Sequence, residues 1–185
     1  ESNCACNLEN SEFALDRQNA RQPTIKGNAH NTFFLDWMFG VFQNSDLSDY
    51  HAFFDKTLSR FCSELPVMGA PAFSSLRRFL SPDKITDDDS LRFHTKNNPS
   101  PGFADFGIYD AEKLFAEKLL GSIRSEEDKL FKMQYIQYEW VRITIELYRQ
   151  NKWFSAGALF WMLNDCWPAN GWALIDYYGN PKAGY

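Results

Sequence analysis

The stretch Phe154-Ser155-Ala156-Gly157-Ala158-Leu159-Phe160-Trp161-Met162-Leu163-Asn164-Asp165-Cys166-Trp167-Pro168 decides the reading of this chain. Its apolar run, Ala158 to Leu163, follows Gly157 and gives way to an amide, a carboxylate and an indole before Pro168. A run bounded in this way suits a strand buried on both faces. The sequence before it predicts a helix. Leu130, Met133, Ile136, Trp140, Ile143 and Leu147 form one apolar stripe, and Ser125 followed by Glu126, Glu127 and Asp128 marks its start. A helix feeding a buried strand is a step of an α/β fold, whose ligands sit at the carboxyl ends of parallel strands. Trp161, Asn164 and Asp165 stand at that end. An indole stacks on a pyranose face, and the polar groups beside it take hydroxyls.

A second apolar segment, Thr57 to Ser63, also predicts a strand, and it also ends in an ionisable group, Glu64. A carboxylate at the end of an inner strand is either paired or used in chemistry, although as a lone residue Glu64 reads first as an ordinary surface glutamate. Further upstream, Thr24 to Phe34 holds a third candidate strand, interrupted by Gly27 and Asn28, with His30 on it. Glu12 to Ala20 has helical character, and Asp36 to Tyr50 reads as an aromatic-rich loop. Phe73 to Leu80 predicts a helix. Residues 81–107 read as a long irregular loop whose acidic run, Asp87 to Asp89, is a solvated surface. Asp110 to Leu120 predicts a helix with Leu114, Phe115 and Leu119 on its apolar side, stopped by Gly121.

Composition bounds the function classes. The chain has 185 residues, 44% hydrophobic and 17% aromatic, with a net charge of -5. It has enough apolar sequence for a substantial core. The acidic balance argues against a nucleic-acid or membrane-surface partner, and no apolar run reaches the length of a membrane span. Cys4, Cys6, Cys62 and Cys166 have no zinc-ligand spacing. Cys62 and Cys166 read as small buried hydrophobes. No phosphate-binding glycine loop, metal motif or cofactor signature occurs. The absence of an Asn-x-Ser/Thr sequon with an allowed middle residue argues against a glycosylated lysosomal or fungal secreted protein without excluding either, and an extracytoplasmic compartment is favoured over the cytoplasm.

The pattern Gly157-Ala-Leu-Phe-Trp161-Met-Leu-Asn164-Asp165-x-Trp167-Pro168, with Trp172, Ile175-Asp176-Tyr177-Tyr178-Gly179 and Pro181-Lys182, resembles the last barrel strand and exit of glycoside hydrolase family 2. The resemblance is to the β-mannosidase and exo-β-glucosaminidase branch. Ser63-Glu64, then Pro71-Ala72-Phe73-Ser74-Ser75-Leu76, resembles the motif that closes the family's seventh strand and carries its nucleophile. Leu65-Pro66 departs from that motif. Gly27-Asn28-Ala29-His30 resembles the sixth strand loosely, because Asn31 stands where an aromatic is usual. The resemblance implies an α/β fold comprising the C-terminal part of a TIM (β/α)8 barrel, about strands six to eight. It implies Glu64 as catalytic nucleophile and Trp161, Asn164, Asp165 and His30 as substrate-binding residues, with no metal or cofactor. A structural histidine and a core-filling tryptophan remain the alternatives for His30 and Trp161.

A retaining glycosidase also needs an acid/base carboxyl roughly 5–5.5 Å from the nucleophile. No convincing one appears here. Glu9 and Glu12 lie in polar, helix-like sequence, and Glu1 lies close to Glu64 in sequence for the family. A full barrel takes ~250 residues. The expectation is therefore a partial barrel, residues 1–185, from a larger multidomain enzyme. The upstream half of its barrel and the family's β-sandwich domains would be its intramolecular partners. The implied activity is hydrolysis of terminal β-mannosyl units from a β-linked oligosaccharide or glycoside. β-Glucosaminyl units, or a non-catalytic sugar-binding module with a degenerate site, are the alternatives.

Overall fold

The computed structural model describes residues 26–30, 59–66, 68–95 and 108–185. The expected helix near Glu12 to Ala20 and the aromatic loop Asp36 to Tyr50 lie outside the described residues. In chain order the elements are β1 (Lys26–His30), β2 (Ser59–Pro66), α1 (Phe73–Leu76), α2 (Pro82–Ile85), α3 (Asp88–His94), α4 (Ile108–Leu120), α5 (Glu126–Gln150) and β3 (Gly157–Trp161). The three strands form one parallel sheet in the order β1-β2-β3. The chain divides into two compact units, Glu1–Pro66 with Arg142–Trp161, and Val67–Val141 with Met162–Tyr185.

In the first unit β2 is central. Its Cys62 and Leu65 are fully buried. Ser59 anchors the start of the strand. Its hydroxyl lies 2.5 Å from the Tyr148 hydroxyl, and its carbonyl accepts from Ser155 Oγ at 2.7 Å. Burial pushes the Tyr148 phenol above its ordinary range, with the charge of Cys62 acting the same way. The entry to β3 is fixed by Ala156 N donating to Arg60 O. β3 departs from the expected burial on both faces. Leu159 and Trp161, two residues apart on one side of the strand, are 54% and 48% exposed. A strand alternates faces with period two, so the apolar run covers one side and leaves the other to solvent.

The second unit is helical and loop-rich. α5 follows the expected stripe. Leu130, Met133, Ile136, Trp140 and Ile143 are buried, and Ser125 Oγ caps the helix by accepting from Asp128 N at 3.1 Å. α4 ends as expected at Gly121, whose φ of 80° is the left-handed conformation that glycine adopts without strain. Its buried face differs from the expected one. Ile108, Ala111, Glu112, Phe115 and Ala116 point inward, while Leu114 is 42% exposed. α1 is a single turn whose hydrogen bonds continue to Leu80. There Pro82 forces Ser81 into extended backbone and starts α2.

The expected irregular loop 81–107 is partly helical, since α2 and α3 lie inside it; residues 96–107 lie outside the described residues. The acidic run is the amino end of α3. Asp87 caps it by accepting from Asp89 N and from Ser90 Oγ. Asp88 is not solvated freely. Burial opposes its charge, but Lys113, Tyr109 and Lys129 all donate to it and hold its carboxyl well below the usual range. Cys166 departs from expectation as well. It lies in the loop beyond β3 and is exposed, whereas Cys62, inside β2, is buried.

Candidate active site

Parallel pairing brings three carboxyl strand ends together. His30 is the last residue of β1, Trp161 the last of β3, and Glu64 lies two residues from the end of β2. In register, the backbone of His30 stands beside Glu64, and Trp161 stands beside Pro66.

The register also locates a β-bulge. Toward β1 the partners run Ala29–Cys62 and then His30–Glu64. Toward β3 they run Cys62–Ala158 and then Leu65–Phe160. Against either neighbour β2 carries an extra residue in the segment Ser63-Glu64. A bulge breaks the two-residue alternation and re-aims a side chain. The consequence is visible in burial. Cys62 and Leu65 both point into the core, three residues apart, and Glu64 between them is only partly buried. Cys62 Sγ donates to Glu64 O at 3.4 Å, bracing the bulged peptide. Glu64 is thereby left only partly buried without ending the strand.

Beyond β3 the expected binding residues separate. Asn164 is exposed, and its amide donates to Asp165 O at 3.3 Å. Asp165 is buried, with its carboxylate 3.6 Å from the Lys182 ammonium. Lys182, itself 3% exposed, donates to Gly69 O at 2.7 Å and Gly171 O at 3.0 Å. Asp165, expected to position hydroxyls or to hold neighbouring groups, anchors its loop from the inside. Asp176 plays a similar structural part. It accepts from Ser75 Oγ and from the backbone N–H groups of Tyr178 and Asn180, closing a turn in which Gly179 has φ 85°. Gln137 Nε2 reaches the carbonyls of Trp172 and Ala173. Its side chain occupies the space that a Cβ on Gly69 would need, so only glycine fits there.

No family model matches the chain. Known proteins do match it. An exo-β-D-glucosaminidase of Hypocrea jecorina is 35% identical over 134 residues, 68% of this chain and 14% of that protein. A β-mannosidase B of Thermothelomyces thermophilus is 28% identical over 147 residues, 71% of this chain and 16% of that protein. The chain is a relative of the glycoside hydrolase family 2 β-mannosidases and exo-β-glucosaminidases. Among solved structures of such enzymes, the β-D-mannosidase from Dictyoglomus thermophilum superposes with a TM-score of 0.66 at 25% identity, over 86% of this chain and 18% of that one. The exo-chitosanase of Amycolatopsis orientalis gives 0.56 over 68% of this chain. The chain thus spans less than a fifth of the length of these glycosidases.

Two residues now matter that the sequence reading passed over. Lys182 stood in the Pro181-Lys182 resemblance without a role. Glu112 sits on the apolar face of α4, and a carboxylate at helical spacing with Ile108 and Phe115 was the signal for it.

Proposed function

We propose that this chain contributes the nucleophile and part of the sugar subsite of a retaining exo-β-glycosidase acting on terminal β-mannosyl units. The observation that carries the reading is the bulge at Ser63-Glu64, which leaves a partly buried carboxylate near the carboxyl end of a parallel sheet. The three strands, parallel and in sequence order, are read as strands six to eight of a TIM barrel. Glu64 attacks the anomeric carbon while an acid protonates the leaving oxygen. The resulting glycosyl ester is then cleaved by water, which gives its proton to the same acid/base group. That second carboxyl group is not assigned to any residue of this chain. Trp161, half exposed beside the end of β2, offers its indole face to the pyranose. Asn164 presents an exposed amide for a hydroxyl, and His30 is read as a further polar contact beside the nucleophile. Asp165 and Lys182 hold the loop that bears Asn164.

A β-glucosaminyl substrate is the second reading. It is favoured by the 35% identity to the exo-β-D-glucosaminidase of Hypocrea jecorina. A panel of nitrophenyl β-mannoside and β-glucosaminide substrates on the whole protein separates the two. Glu64→Gln should abolish nearly all turnover with an unchanged melting temperature, and a 2-fluoro-mannoside inactivator should label Glu64. Label on any other carboxylate would overturn the assignment.

A further inference from the structure

Glu112 lies on α4 with no solvent exposure. Asn170 Nδ2 approaches its Oε2 at 3.5 Å. The orientation of that amide is fixed by its neighbour. Thr95 Oγ1 donates its only proton to Leu91 O, so at 3.1 Å from Asn170 it can only accept, and the atom facing it must be Nδ2. Among the described residues two oxygens are then left without a partner, Glu112 Oε1 and Asn170 Oδ1, both buried. Two orphan acceptors on a pair that already shares one hydrogen bond are costly as they stand. One added proton satisfies both.

We infer that Glu112 is a protonated carboxylic acid in the folded protein, donating from Oε1 to Asn170 Oδ1. The acid–amide pair is a proton-held latch between α4 and the loop 164–172. Asn170 is well placed for this, because its backbone N also donates to His94 O, tying α3 to the same point. The charged surroundings agree. The positive group acting on Glu112 is Lys182, whose ammonium is already engaged by Gly69 O, Gly171 O and the Asp165 carboxylate. Tyr109, on α4 itself, is influenced by Glu112 and is hydrogen-bonded to Asp88. Burial is the largest influence on Glu112 and pushes its carboxyl up to about 8, against the smaller opposing pulls of Asn170 and Lys182.

Above that pH the latch loses its proton and leaves a buried carboxylate beside an amide oxygen. A raised acid binds its proton in the folded state where the unfolded state has lost it. Stability therefore falls as pH rises from the unfolded value near 4.5 to about 8, and levels off beyond.

The test uses the whole protein with side-chain 13C-labelled glutamate. One carboxyl signal should stay protonated through neutrality and titrate near pH 8, and it should be the signal missing in Glu112→Gln. If every glutamate signal titrates below pH 6, the inference fails without recourse to any variant. Glu112→Gln keeps the donor to Asn170 and removes the titration. Its melting temperature should exceed that of the wild type at pH 8 by on the order of several degrees, and the gap should close toward pH 5. Parallel melting-temperature profiles for the two proteins would overturn the latch.

Discussion

At the scale of single residues, Trp161 separates a sugar wall from a core plug. Truncating a fully buried tryptophan costs about 3–5 kcal/mol of stability. Trp161 is 48% exposed, so Trp161→Ala should lower the melting temperature by much less than such a loss implies. If the indole stacks on a ring that flattens toward the transition state, kcat/KM should fall on the order of a hundredfold. Trp161→Phe, which keeps a flat face, should recover part of it. Melting curves and kinetics on both variants decide. A large thermal loss with near-normal kcat/KM would return Trp161 to the core. Glu64 and Trp161 were legible as strand-end residues because an apolar run that ends in a functional group is a local pattern. The contact of Asp165 with its buried cation was not legible. Its partner, Lys182, lies 17 positions away, and no periodicity joins them.

At the scale of elements, the loops after β2 and β3 are organised by one buried cation. Lys182 binds the carbonyl of Gly69 in the first loop, the carbonyl of Gly171 in the second, and faces the carboxylate of Asp165. Removing one member of a buried pair leaves an uncompensated charge, at a cost of about 3–5 kcal/mol. Lys182→Met should therefore lower the melting temperature by on the order of ten degrees. The double variant Lys182→Met, Asp165→Asn should regain much of that loss, because no charge is then stranded. Equal melting temperatures for Lys182→Met and the wild type would remove the pair from its structural role. The helices were legible where capping and stripe agreed, as in α5. α3 was missed because an Asp-rich run reads as solvated loop unless its first residue is seen as a cap and its second is known to meet Lys113, Tyr109 and Lys129.

At the scale of the molecule, the described sheet has three strands, and among the described residues β1 and β3 each pair on one side only. Unpaired strand edges are templates for association. The 185-residue chain expressed by itself should therefore associate and show no glycoside turnover, a result that sedimentation and a nitrophenyl glycoside assay would read. A monomer with a cooperative melt and full activity would contradict it. Sequence alone carried the likeness to glycoside hydrolase family 2, the three strands in order and the residues at their carboxyl ends, because strand, cap and motif signals act over a few neighbours. Tertiary structure alone decided the bulge at Ser63-Glu64, the exposure of one face of β3, and the burial of Asp165, Lys182 and Glu112. Those depend on pairing register and on which distant groups meet in the interior, and neither is encoded in any short run of residues.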